Sequence, residues 1–227
     1  MILGMDGCRS GWIAACIDTT NTLTFALFAT LEQCVLLQTA TLALIDMPIG
    51  FAGQQHRLCD SLARDLLKPF RQSSIFFTPH RDAVFASTYA EACRINTLRT
   101  GKAISVQTWN ICRKIREVAQ YTEANPDVRL LESHPELCFY GLAGQVCRYP
   151  KRTQSGLSER IRIIEEKAPE YIDAIDQAMH SISRSDAKPD DILDAAILAI
   201  IAKRGNLITL PTPDSPESAT SRITFGR

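Results

Sequence analysis

The order of apolar and polar positions divides the chain into a strand-rich start and a largely helical remainder. Ile2, Leu3 and Met5 form a short buried run, so residues 1–6 read as a first strand that Gly7 stops. Gly11 to Ile17 is a second run of strand length. Leu23 to Phe28 is a third, after the turn cluster Asp18-Thr19-Thr20-Asn21. Connections this short make the three strands an antiparallel meander. Thr30-Leu31-Glu32-Gln33 matches a capping box and predicts a helix to about residue 38. Leu42-Ala43-Leu44-Ile45 is apolar throughout, as in a strand buried on both faces, and ends at Asp46 before Pro48 and Gly50.

Helical spacing dominates from there. Leu58, Leu62 and Leu66 predict a helix over residues 54–68, and Ile111, Ile115, Val118 and Ala119 another over 107–121. A further helix is expected over 86–98, with a structured loop from Gln72 to Arg81 before it. Val128 to Leu131 is a fifth strand ending at Glu132, and Ser133-His134-Pro135-Glu136 is a second capping box opening a helix through about Leu142. Residues 157–182 predict one or two helices broken at Pro169, and Pro189 starts a last helix through about Lys203. The tail 211–227, rich in Pro, Ser and Thr, is either a mobile end or one added strand around Ile223-Thr224-Phe225. This order predicts one α/β domain over residues 1–210: a mixed five-stranded sheet, three meander strands plus parallel strands, with helices on both faces.

Composition narrows the class. Hydrophobic residues at 45% and charged residues at 22% are an ordinary globular balance. A formal net charge of +0 argues against a long, tight nucleic-acid interface, because phosphate neutralisation supplies most non-specific affinity. Eight cysteines occur without a C-x-x-C pair, several inside apolar segments, as reduced thiols of a reducing compartment would. The start Met1-Ile2-Leu3-Gly4 lacks a basic region and is too short for a signal peptide, and the apolar stretch Ile192 to Ala202 is too short to span a bilayer. A cytoplasmic protein without a membrane span is expected.

The acids carry the candidate chemistry. Asp6, Asp46 and Glu132 each end a predicted strand, and in a sheet where those strands are parallel they emerge at one end, where α/β sheets place ligands. Asp191 and Asp194, three apart on the last helix, face the same way. Carboxylates brought that close repel, so cations must bind or some groups must protonate. Oxygen ligands with little His or Cys nearby favour Mg²⁺ or Mn²⁺. Two such ions roughly 3.5–4 Å apart would activate water and stabilise the leaving oxygen of a phosphodiester. Each acid also has a plainer reading. Asp6 and Asp46 suit strand-ending turns, and Glu132, Asp190 and Asp191 suit helix N-termini. Glu136 suits the capping box, and Asp194, set among Ile192, Leu193, Ala195 and Ala196, suits a buried ion pair.

Several blocks taken together resemble an uncharacterised family of predicted RNase H-like nucleases. They are Gly4-Met5-Asp6-Gly7-Cys8-Arg9, Ile45-Asp46-Met47-Pro48-Ile49-Gly50, Glu132-Ser133-His134-Pro135-Glu136 and Asp190-Asp191-Ile192-Leu193-Asp194-Ala195. Arg57-Leu58-Cys59-Asp60 with Ala63-Arg64, Ser73-Ser74-Ile75-Phe76 with Pro79, and Ser105-Val106-Gln107 belong to the same pattern. The resemblance implies an RNase H-like fold. The acid pair on the last helix also resembles that of RuvC-type resolvases, which implies Asp6, Asp46 and Asp194 as metal ligands and Asp191 and Glu132 as further ligands or water-orienting groups. It brings Arg9, Arg57, Arg64, Arg71 and Arg81 as candidate phosphate contacts, and Gln107 as a contact to a base or sugar. Lys151, with Gly156 and Arg160 downstream, resembles another family block and is a further candidate phosphate contact. His134 is a candidate proton donor near Glu132.

The leading expectation is therefore a metal-dependent phosphodiesterase acting on nucleic acid. The alternatives are a non-catalytic RNase H-like scaffold or binding module and, further off, an ATP-dependent enzyme of the actin and sugar-kinase kind. The last would need a second Asp-x-Gly half that the chain lacks. An aspartyl-phosphate phosphohydrolase would place Asp at position 8, where this chain has Cys.

Overall fold

A computed structural model describes residues 1–213 and 221–226. Its main sheet has five strands, β1 (Ile2–Cys8), β2 (Gly11–Ile17), β3 (Leu23–Phe28), β4 (Leu42–Ile45) and β5 (Leu130–Glu132), in the order β3-β2-β1-β4-β5. β1, β2 and β3 form the antiparallel meander, while β1, β4 and β5 are adjacent and parallel. Helices cover both faces, an arrangement consistent with an RNase H-like α/β fold.

The alternation of side chains along β1 sorts the core into two layers. Leu3 and Met5 point to one face, packed with Cys112, Ile115 and Val118 of α4 (Val106–Ala124). The other face receives α8 (Pro189–Arg204), which is buried nearly all round through Leu193, Ile197, Leu198, Ile200 and Ile201. Each such side chain contributes about 1.5–3 kcal/mol by leaving water. Also on that face lie α1 (Leu58–Leu66), α5 (Pro135–Ala143), α6 (Gln154–Lys167) and α7 (Ile172–Ser181). Two shorter helices, α2 (Arg81–Val84) and α3 (Tyr89–Thr100), stand beside α4.

Two local expectations are corrected in the first half of the chain. Gly7 does not stop the first strand, which continues to Cys8 and pairs with Gly11. The missing side chain at Gly7 instead leaves room for the stem of Lys114 from α4, which would lie 2.8 Å from a Cβ there. The box at Thr30 opens no α-helix. Leu31, Cys34 and Leu37 are buried at spacing three, and the segment forms turns and one 3-10 helix at Val35–Gln38, whose period is three. The backbone N–H of Leu31 donates to Glu117 on α4 at 2.6 Å, which fixes this segment from outside.

The C-terminal region holds two strands rather than one. β6 (Leu207–Leu210), which the sequence pattern did not reveal, pairs antiparallel with β7 (Ile223–Gly226). β7 packs on α5 and α8, buries Ile223 and Phe225, and bridges from Thr224 to Ser133 just past β5. The rest of the expected tail, residues 214–220 and 227, lies outside the described residues. Among the described residues no helix is long and apolar enough to cross a membrane.

Gly4 sets how α8 sits on the sheet. A Cβ there would overlap the carbonyl oxygen of Ala195 and the amide nitrogen of Ala199, both backbone atoms of α8. Neither can rotate away, so Gly4→Ala must push the helix off β1. The expected cost is about 3 kcal/mol, the upper part of the range for overpacking, measured as a lower urea midpoint at unchanged m-value.

Candidate metal centre

The register of the parallel strands decides which acids meet. Met5 of β1 pairs with Ile45 of β4, and Asp46 continues the ladder by donating its backbone N–H to Met5 at 2.9 Å. Asp6 and Asp46 therefore leave neighbouring strands at the same end and on the same face, the face that α8 covers. Asp194, the sixth residue of α8, comes down on both. One carboxylate oxygen from each of the three lies within 4.8 Å of the others. Asp194 is 1% exposed.

Glu132 is at the same sheet end but on the other face. It pairs with Ile45, one residue before Asp46. With a side-chain period of two, that single step reverses its direction, and Ser133 takes the position level with Asp46. Glu132 there accepts from Arg57 at 2.6 and 2.8 Å and from the backbone N–H of Ile49 at 2.6 Å. Arg57 also donates to Asp60, at 2.5 Å at the closest. Burial opposes the charge on Arg57, yet Glu132 and Asp60 hold its pKa well above the ordinary value. Burial raises the Glu132 carboxyl and Arg57 counters it.

Asp191 is one turn before Asp194, and its carboxylate accepts the backbone N–H of Lys188 at 2.9 Å, fixing the start of α8. Burial raises its pKa. It stands outside the group of three but close enough for its charge to raise the pKa of Asp6.

Electrostatic crowding is severe in the cluster. Burial, then the charge of Asp46, pushes the Asp6 carboxyl well above the carboxylate range. Burial pushes Asp46 up to about 7, against the pull of Lys151 and with Asp194 adding to it. Lys151 is the cation present. Its ammonium donates to Asp194 Oδ2, and although burial opposes its charge, Asp194, Asp6 and Asp46 hold its pKa above the lysine value. Asp194 Oδ1, by contrast, is buried and has no hydrogen-bond partner among the described residues.

A cleft of about 510 Å³ opens over this sheet end. It is lined by Asp6, Asp46, Glu132, Arg57, Gln107 and Lys151 among others. Of the other basic candidates, Arg71 also lines the cleft, and the rest lie elsewhere or are engaged. Arg9 is exposed away from the cleft. Arg64 donates to the carbonyl of Ile75 and lies 4.9 Å from the Phe77 ring centre, and Arg81 lies 4.7 Å from that of Phe85. Arg57 lines the cleft with its guanidinium fully committed to Glu132, Asp60 and Ile49.

Lys114 was not singled out from the sequence, yet it lines the cleft. Its amine donates to the carbonyl of Gly11 and sits 4.4 Å from the Trp12 ring centre, and burial lowers its pKa. The signal was present: Lys114 falls between Ile111, Ile115 and Val118, on the apolar face of its helix.

His134, not Ser133, caps α5: its Nδ1 accepts the backbone N–H of Glu136 at 3.2 Å. Glu136 is held by Arg160 at 2.6 and 2.7 Å instead of closing a capping box. The other His134 nitrogen lies 3.4 Å from the carbonyl of Ser74, so the ring is neutral with its proton on Nε2. Burial pushes the pKa down to about 4.

These elements define a class: a mixed α/β protein with a buried three-carboxylate cluster at the end of its parallel strands. The chain belongs to a family described as proteins of unknown function (DUF429), whose model matches residues 4–216. No curated protein and no solved structure matches it.

Two measurements check this arrangement. Arg57→Met removes the cation from two buried carboxylates and should cost about 3–5 kcal/mol of unfolding free energy, read by denaturant titration. His134→Asn keeps a capping side chain and removes the titration. Because the folded pKa of about 4 lies below the unfolded value, the unfolded chain takes up the proton first on acidification. His134 therefore drains stability from about pH 6.5 down to about pH 4. Between pH 7 and 5 the wild type should lose roughly 1–2 kcal/mol more than the variant. Parallel pH profiles for the two proteins would contradict a buried neutral ring.

Proposed function

We propose that this protein is a metal-dependent phosphodiesterase acting on nucleic acid at the cluster of Asp6, Asp46 and Asp194, with Mg²⁺ or Mn²⁺ as cofactor. The observation that carries the reading is Asp194 Oδ1, a carboxylate oxygen with no partner among the described residues on a side chain 1% exposed, beside two further carboxylates. Leaving such an atom unpaired is costly in a purely structural site. The donor set fits a hard cation, since all three groups are carboxylates and, among the described residues, no thiol or imidazole joins them.

Such an ion supplies a water of lowered pKa and a positive charge for a phosphoryl oxygen. The chain's own residues do the rest. The sheet fixes Asp6 and Asp46, and the N–H of Gly7 donates to Asp6 Oδ1 at 2.6 Å. α8 fixes Asp194, so the ligands are pre-organised on rigid elements. Arg71, Lys114, Lys151 and Arg152 give the cleft positive charge for a phosphate, and Ser105 and Gln107 at the start of α4 offer hydrogen bonds to a base or sugar.

A second reading, a non-catalytic scaffold of the same fold, has one observation in its favour: the bond between Lys151 and Asp194. The two readings separate in one experiment. On the metal-site reading, Mn²⁺ raises the melting temperature of the metal-free protein, and Asp46→Asn removes most of that shift. Asp194→Asn leaves metal-free stability equal or higher, because Lys151 still faces Asp6 and Asp46, and abolishes Mn²⁺-dependent cleavage of mixed DNA and RNA substrates. On the scaffold reading, Mn²⁺ leaves the melting temperature of the wild type and of both variants unchanged, because no ion binds the folded state selectively. Absence of any divalent-metal shift up to millimolar concentration, with nucleic acid present, would sink the enzymatic reading.

A further inference from the structure

The loop that carries Lys151 is built for delivery. Glu159 accepts the backbone N–H groups of Arg148 and Tyr149 at 2.8 and 3.0 Å. Arg160, anchored on Glu136, donates to the carbonyl of Tyr149 at 3.1 Å. Thr153, the N-cap of α6, donates to the carbonyl of Pro150 at 2.8 Å. Gly156 allows that carbonyl to rest on the helix, since a Cβ there would overlap it. The stretch from Arg148 to Pro150 is thus tied to α6 residue by residue, and the next residue, Lys151, enters the acidic cluster. Its ammonium meets Asp194 on the oxygen opposite the unpartnered one.

Charge counting gives this placement a consequence. The cluster has three carboxylates and one ammonium, a net of two negative charges when all are ionised, and the neighbouring Asp191 and Lys114, of opposite sign, leave that sum unchanged. One divalent cation neutralises that. A second would leave an excess of two positive charges in a buried site, which is costly.

We propose that Lys151 is a resident cation of the site that takes the place of a second metal ion, so that the cluster accepts one divalent cation per chain. This rests on the metal-site reading above. Glu159, Arg160 and Gly156 are then positioning residues, acting through Lys151.

The test is a Mn²⁺ titration of the full chain at neutral pH. Isothermal calorimetry gives the affinity, and electron paramagnetic resonance counts the free ion. The wild type should bind one Mn²⁺. Lys151→Met, which keeps the stem and removes the charge, should bind Mn²⁺ at least tenfold more tightly, because a nearby repelling charge is gone. Lys151→Arg should keep the wild-type stoichiometry and an affinity within tenfold. Two ions in the wild type, or a folded Lys151→Met whose affinity rises less than tenfold or falls, would overturn the inference and leave the metal site standing. Should Lys151→Met not fold, the wild-type count decides. A wild type that binds no Mn²⁺ removes the metal-site reading itself.

Discussion

The contact of α8 with β1 at Gly4 is the constraint on which the rest of the molecule depends. Without a side chain at that position, helix and strand backbones approach to direct contact, with Ala195 and Ala199 on the helix side. That approach makes α8 the centre of one core layer, buried nearly all round. It also sets the height of Asp194 above the sheet. Asp6 is two residues beyond Gly4 and on the same face, so the contact that packs the core also brings the helix carboxylate to the strand carboxylates. Stability and site geometry are therefore coupled through one small residue.

The charge distribution separates two kinds of buried acid. Glu132 and Asp60 share Arg57, and Glu136 is held by Arg160, all in close hydrogen-bonded pairs. A guanidinium suits this use because its charge persists under burial and its donors are fixed in a plane. Among the described residues, the cluster of Asp6, Asp46 and Asp194 has one bonded lysine for three carboxylates and an unpartnered oxygen. Arginines hold the surroundings of the site rigid, while the site itself is left short of positive charge. A fold that spends its buried arginines around a cluster and not on it keeps that cluster open to a cation.

Much of this was legible along the chain. The limits of β2, β3 and β4 follow from apolar runs between turn residues, and β4 as the parallel neighbour of β1 follows from a run buried on both faces. Asp6, Asp46 and Asp194 stood out because an acid at a strand end or inside an apolar helix is costly unless something uses it. The helix expected after Thr30 failed because propensity is weak beside tertiary fixing, here the Glu117 carboxylate on the Leu31 N–H. β6 gave too short a signal to stand alone, and it is a strand because β7 returns from beyond residue 220 to pair with it.

By itself the sequence determined most element types, the strand directions of the main sheet and the residues able to ligate a hard cation, since these depend on local periodicity and side-chain chemistry. It could not decide which acids share a face. Glu132 belongs elsewhere because of a one-residue step in register against Asp46, and register is settled only when strands pair. Nor could it show that Lys151, far from Asp6, Asp46 and Asp194 in the chain order, would be carried into their midst. That depended on Arg160 anchoring α6 and its loop to Glu136 of α5, and on α8 bringing Asp194 under the loop, contacts between helices that form only in the folded chain.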